Sequence, residues 1–176
     1  ITAGLALARD PASGKGWVFA GSGKFLENGD VHDDTVQSLY GIIDDAPTTT
    51  LTRSNLEERD IALTDTVDGK SVRSFESHGP LDGDVEGWFI DLDKPSAVGE
   101  RTISRPQVKG SVLVVATIIP PTDDSCEAGG SGYINALDAF TGTSTTEPYF
   151  DANGDGKVDE NDQLEDGEGN PIPVGS

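Results

Sequence analysis

One stretch near the C-terminal end concentrates residue types suited to a hard divalent cation: Asp151-Ala152-Asn153-Gly154-Asp155-Gly156-Lys157-Val158-Asp159-Glu160-Asn161-Asp162. Counted from Asp151, side-chain oxygens fall at positions 1, 3, 5, 9 and 12, on Asp151, Asn153, Asp155, Asp159 and Asp162. Lys157 stands at position 7, where the backbone carbonyl is the donor and the side chain is free. This is the EF-hand-like loop pattern, with Asp in place of the usual bidentate Glu at the last position. Calcium takes six to eight oxygens at roughly 2.3–2.6 Å, so alternating carboxylates on a tightly coiled backbone converge on it. Gly154 and Gly156 permit the positive φ that such coiling needs. Val158 at position 8 is expected to anchor the loop on the core. The short Asp162 side chain weakens the twelfth ligand, so closure is expected to fall mainly on Asp159. Without the ion the carboxylates repel, so calcium is expected to order the loop. A plain Asn-Gly/Asp-Gly turn in an acidic chain would explain two or three of these matches; the whole set favours calcium over magnesium or no metal.

Other candidates are weaker. Glu27-Asn28-Gly29-Asp30-Val31-His32-Asp33-Asp34 is acidic but lacks the ligand spacing and reads as a solvated turn. Gly21-Ser22-Gly23-Lys24 lacks the four-residue gap and following Ser/Thr of a phosphate-binding loop, and reads as a strand-end turn. His32 and His78 lie far apart beside acids, so no nucleophilic constellation follows and surface positions are expected. Cys126 sits among acids that should raise its pKa, and a lone cysteine forms no internal disulfide, although it leaves pairing outside this sequence open. Trp17 and Trp88 read as core residues.

The elements that must hold the loop read as strands. The apolar runs are short and bounded by Gly, Asp or Pro, at Thr2–Ala8, Trp17–Gly21, Gln37–Ile43, Ser71–Phe75, Gly87–Leu92, Thr102–Gln107, Ser111–Ile119 and Gly132–Leu137. Ser111–Ile119 is apolar on both faces, as a doubly buried strand would be, and Lys109-Gly110 is a plausible hairpin turn before it. Trp17–Gly21 resembles Leu113–Thr117, and Leu39–Asp44 resembles Tyr133–Asp138, at offsets of roughly 95 residues. That order fits consecutive propeller blades, with a polar insertion over about residues 45–87 accounting for the long spacing. Within it, Asn55–Arg59 reads as either a helical turn or a solvated strand. The expected division is a first blade with its insertion at 1–92, second-blade strands at 93–150, and the calcium loop with an acidic tail at 151–176. The fold class is therefore all-β, about two blades of a modified β-propeller.

With 22 glycines and 10 prolines in 176 residues, turns prevail over long helices. A formal net charge of −20 disfavours nucleic acid and anionic membrane surfaces. No apolar run reaches the roughly 18–20 residues that span a bilayer, so no membrane insertion is expected. The abrupt apolar start and the Pro-rich end suggest a sequence cut from something longer.

Gly16-Trp17-Val18-Phe19-Ala20-Gly21-Ser22-Gly23-Lys24-Phe25 followed by Gln37-Ser38-Leu39-Tyr40-Gly41-Ile42 resembles the GTGKY…QSLYGI stretch of the PilY/PilC-type tip proteins of type IV pili. Gly87–Leu92, Gly99-Glu100-Arg101, Arg105-Pro106, Thr117–Pro121, Cys126 and Gly129–Tyr133 continue the resemblance in the same order over roughly residues 1–142. The resemblance implies a C-terminal modified β-propeller with a calcium loop, in which Asp151, Asn153, Asp155 and Asp159 occupy the matching positions. It also implies a role in pilus biogenesis, calcium-linked extension and retraction, and surface adhesion. Implied partners are minor pilins or the pilus tip complex, and a host or abiotic surface. The implied location is the bacterial cell surface, reached through the periplasm and outer membrane. The family's N-terminal adhesion module is not expected here, and the acidic residues beyond Gln163 match nothing in it. Another reading of the loop is a dockerin-like or calcium-stiffened structural interaction module of a secreted protein; a dockerin carries two such loops on helices, whereas one is seen here among strands. A propeller enzyme of the quinone-dependent dehydrogenase kind is disfavoured, because two blades build no central cofactor site and no catalytic cluster is evident; the chain is read as no enzyme.

Overall fold

The computed structural model of the chain describes residues 1–44, 50–121 and 129–176. Cys126, with the questions of its reactivity and pairing, lies outside the described residues. The strands are β1 (Ala6–Arg9), β2 (Gly16–Gly21), β3 (Ser38–Asp44), β4 (Glu57–Arg59), β5 (Ile61–Val67), β6 (Lys70–Phe75), β7 (Gly87–Asp91), β8 (Arg101–Thr102), β9 (Gln107–Lys109), β10 (Val112–Ile118), β11 (Ile134–Asp138), β12 (Gln163–Glu165) and β13 (Pro171–Pro173). Two short 3-10 turns, Asn28–His32 and Arg53–Asn55, are the helical elements among the described residues.

The first sheet runs in the order β1-β2-β3-β7-β4. β1, β2, β3 and β7 pair antiparallel, and β4 closes the edge parallel to β7. The second is built on β10, with β11 on one side and β8 and β9 on the other. The expected strand Thr102–Gln107 is broken into β8 and β9, and Pro106, which has no N–H for the ladder, lies in the gap. The turn at Lys109-Gly110 is present, with Lys109 opposite Val112 and Gly110 at φ 63°.

The internal repeat is visible in the register. Trp17 pairs with Ile43 in the first sheet, as Leu113 pairs with Leu137 in the second. Gly21 lies opposite Leu39, and Thr117 N–H donates to the Tyr133 carbonyl at the equivalent place. The inward side chains of both pairs meet in one core: Trp17, Phe19, Leu39, Trp88, Ile90, Leu113, Val115 and Leu137 are all buried. The Trp17 and Phe19 rings stack 5.9 Å apart. Ser111–Ile119 departs from its expectation of burial on both faces. Leu113, Val115 and Thr117 are buried, whereas Val112, Val114 and Ile118 are half-buried and Ala116 is exposed.

Residues 50–87, expected as a polar insertion, supply β4 to the first sheet and a separate β5–β6 hairpin. Asn55–Arg59 resolves into the end of a 3-10 turn and then β4, and Arg59 is buried rather than solvated. Its Nε donates to the Thr141 carbonyl, and its Nη1 pairs with Glu57 at 2.8 Å. β5 and β6 form a hairpin that leaves the first sheet and reaches the second through the C-terminal residues. Ala136 N–H donates to the Gly175 carbonyl, Gly175 N–H to the Arg73 carbonyl, and Arg73 N–H to the Ser176 carbonyl. Val174–Ser176 thus links β11 to the separate two-stranded β5–β6 hairpin by backbone hydrogen bonds. The tail beyond Gln163 is a β12–β13 hairpin that delivers this bridging segment.

Candidate metal centre

The loop leaves the second sheet after β11 and returns at β12. Ala152 is its apolar foot: it packs with Val72 of β6, Leu164 of β12 and Val174. Val158, expected to anchor the loop, is 52 % exposed. Val72, Leu164 and Val174 gather beneath position 2 of the loop, so the anchoring falls on Ala152. Gly154 and Gly156 take φ 75° and 85°, the left-handed conformation that a side chain resists.

Each predicted side-chain ligand is held by backbone N–H groups of the loop itself. Asp151 Oδ1 accepts from Gly154 N–H at 2.7 Å and from Asp155 N–H at 3.1 Å, and its Oδ2 accepts from Gly156 N–H at 2.9 Å. Asn153 Oδ1 accepts from Asp155 N–H, and Asp155 Oδ1 from Lys157 N–H. Asp159 Oδ1 accepts from the backbone and side-chain N–H groups of Asn161. Asp155 Oδ2 and Asp159 Oδ2 meet no hydrogen-bond donor among the described residues. Lys157 is exposed, with its side chain in no ion pair among them.

Asp162 is placed differently. It is 1 % exposed. Its Oδ1 accepts from Ala152 N–H at 2.8 Å and Asn153 N–H at 3.2 Å, and its Oδ2 from Asp159 N–H at 2.9 Å. It ties the first and last turns of the loop together from the inside. Burial pushes its carboxyl up, but the three N–H donors of Asp159, Asn153 and Ala152 outweigh that and leave it below the ordinary carboxylate range.

Among the described residues, no three His, Cys, Asp or Glu side chains are already gathered as a metal cluster. The donor chemistry nonetheless fits a hard cation. The side-chain donors are all oxygen, the bends carry positive φ, and the loop holds five acids against one lysine with no ion pair to the remaining described residues. Strands flank the loop, so the helical frame of a dockerin is not found among the described residues.

The other sequence candidates resolve into structure. Ser22 Oγ accepts from Ser38 N–H, and Lys24 pairs with Glu27 and Asp30 at 3.3 and 3.2 Å, so Ser22–Lys24 is an irregular segment beyond the end of β2 rather than the expected turn. Asp30 is buried and accepts from Leu26 and Glu27 N–H, which gives the acidic 27–34 loop an internal scaffold rather than full solvation. His32 and His78 are exposed, and His78 pairs with Glu76 at 2.6 Å. Trp17 and Trp88 are buried in the core. A buried polar network went unread in the sequence. Arg73 and Glu100 form an ion pair at 2.7 Å with both residues closed to solvent, and the Arg73 guanidinium lies 3.4 Å from the Tyr133 ring centre. Arg101, also buried, donates to the carbonyls of Gly99, Lys24, Asp30 and Asp33. The signal was the Gly99-Glu100-Arg101 triplet, whose charges are needed inside.

A five-stranded sheet with one parallel edge strand and a second sheet built on β10 share a core, an all-β architecture of the propeller type. The crystal structure of the Pseudomonas aeruginosa PilY1 C-terminal domain superposes with a TM-score of 0.83 at 27 % identity, covering 99 % of this chain and 38 % of that one. A type IV pilus biogenesis factor PilY1 homolog of Xylella fastidiosa is 34 % identical over 148 residues, 83 % of this chain and 12 % of the relative. The type IV pilus biogenesis factor PilY1 of Pseudomonas aeruginosa PAO1 is 34 % identical over 180 residues, 90 % of this chain and 15 % of the relative. No family model matches the chain. The chain belongs to the PilY/PilC-type proteins and corresponds to part of their C-terminal β-propeller domain. It spans about an eighth to a seventh of the length of these relatives.

Proposed function

We propose that this chain is the calcium-responsive part of a type IV pilus biogenesis protein exposed at the bacterial cell surface, acting by binding rather than by catalysis. Its partners would be minor pilins or the pilus tip complex, and its wider roles control of extension and retraction and adhesion to surfaces. The observation that carries the calcium reading is the loop 151–162: oxygen donors at the ligand spacing, bent at two positive-φ glycines, within a chain aligned to PilY1 over most of its length.

In this reading Asp151, Asn153, Asp155, Asp159, Asp162 and the Lys157 carbonyl face the ion. Bound calcium supplies the positive charge that offsets mutual repulsion among these carboxylates. Asp162, with its oxygens on loop N–H groups, closes the loop from inside and shapes the ligand set. Ala152 carries the ordered loop onto β6.

Thermal unfolding tests this. Asp155→Ala removes an exposed side chain whose single hydrogen bond in the loop is from Lys157 N–H, so the fold should persist. The wild-type chain should melt several degrees higher in excess calcium than in chelator, and the variant should melt alike in both. Equal melting of the wild type in the two conditions would refute the site.

A further inference from the structure

We infer that residues 151–176 are a strap that fastens the β5–β6 hairpin to the second blade, and that cation binding in the loop tightens it; the second half of this inference rests on the calcium reading above. Three links carry it. The first is Asp162, whose side chain holds the N–H groups of Ala152, Asn153 and Asp159 while its backbone carbonyl accepts from Val174 N–H at 3.1 Å. One residue therefore fixes both the loop and the start of the bridging segment. The second is the apolar contact of Ala152 with Val72 and Val174, which seats the loop on the hairpin it would secure. The third is the bridge itself. Gly175 donates to Arg73 at 2.8 Å, and its carbonyl accepts from Ala136 at 2.6 Å.

No backbone hydrogen bond between β6 and β11 is present among the described residues, so the backbone link between these two sheets runs through the bridge. The fit is close: a Cβ on Gly175 would lie 2.7 Å from a Phe75 ring carbon and 3.1 Å from the Ala136 carbonyl. A bulkier or displaced chain does not fit there. Ordering the loop fixes Asp162, and Asp162 fixes Val174. Loosening the loop releases the segment that joins a hairpin born in the first blade to the second.

Residue-resolved amide exchange on the 176-residue chain, run beside calcium titration calorimetry, tests the strap. With calcium, the amides of Gly175 and Ala136 should exchange at least tenfold more slowly, and in Asp155→Ala calcium should leave them unchanged. If calorimetry shows binding and slowing is confined to residues 152–161, the strap is overturned while the metal site stands. If no heat of binding appears and no amide slows, both readings fall.

Discussion

Buried charge decides most at the scale of single residues. Glu100 is the counter-ion of a fully buried arginine, and Arg73 Nε and Nη1 have no hydrogen-bond partner among the described residues. Removing Glu100 strands that charge. Glu100→Ala should cost about 3–5 kcal/mol in urea unfolding, and the double change Arg73→Met with Glu100→Leu should recover most of it. A loss under 1 kcal/mol in the single variant would contradict the ion pair's role. Asp162→Ala frees three N–H donors and should cost about 1–3 kcal/mol, because a donor left unmet in a buried place loses its desolvation energy. Asp30 gives a pH dependence outside the metal loop. The N–H groups of Leu26 and Glu27, with Lys24 beside them, hold its carboxyl below the ordinary range. A carboxyl lowered on folding stabilises fully above its unfolded pKa of about 4, and that stability drains as pH falls through the folded value. Asp30→Asn should flatten the acid limb of stability below about pH 4, measured by urea unfolding between pH 6 and 2. An acid limb as steep as the wild type's would contradict it.

At the scale of elements, close packing of the blades fixes particular small residues. A Cβ at Gly41 of β3 would fall inside the indole of Trp88, which pairs opposite it on β7 and donates from Nε1 to the Ala139 carbonyl of the other blade. Gly41→Ala should cost about 1–3 kcal/mol by overpacking, read as a lower denaturant midpoint with unchanged slope. β2, β3, β7, β10 and β11 were legible because apolar residues crowd into short runs between turn residues. β4, β5, β12 and β13 were not. Glu57-Glu58-Arg59 has no apolar alternation, and its place in the sheet comes from pairing with β7 and from burial of the Arg59 charge against Glu57. Pro171 and Pro173 argue against a strand, yet β13 is one half of a two-stranded hairpin, where an edge tolerates proline. Within the loop the donor spacing was legible. That Ala152 rather than Val158 would be the foot was not, because it depends on what the distant hairpin presents beneath position 2.

For the whole molecule, the repeat at roughly 95 residues marked two like units, and the register of β2–β3 against β10–β11 bears that out. The link between distant segments was hidden, since sequence order does not say that a hairpin from residues 61–75 and a segment from residues 174–176 come together beside β11. The acidic loop accordingly sits against β6, β12 and the C-terminal segment through Ala152. The decisive measurement is a crystal structure of this chain grown in millimolar calcium, with anomalous data to locate the ion. The account predicts one calcium bound by Asp151, Asn153, Asp155, Asp159, Asp162 and the Lys157 carbonyl at about 2.3–2.6 Å, with Val174–Ser176 seated between β6 and β11. A loop without anomalous signal, its aspartates turned to solvent, would contradict it.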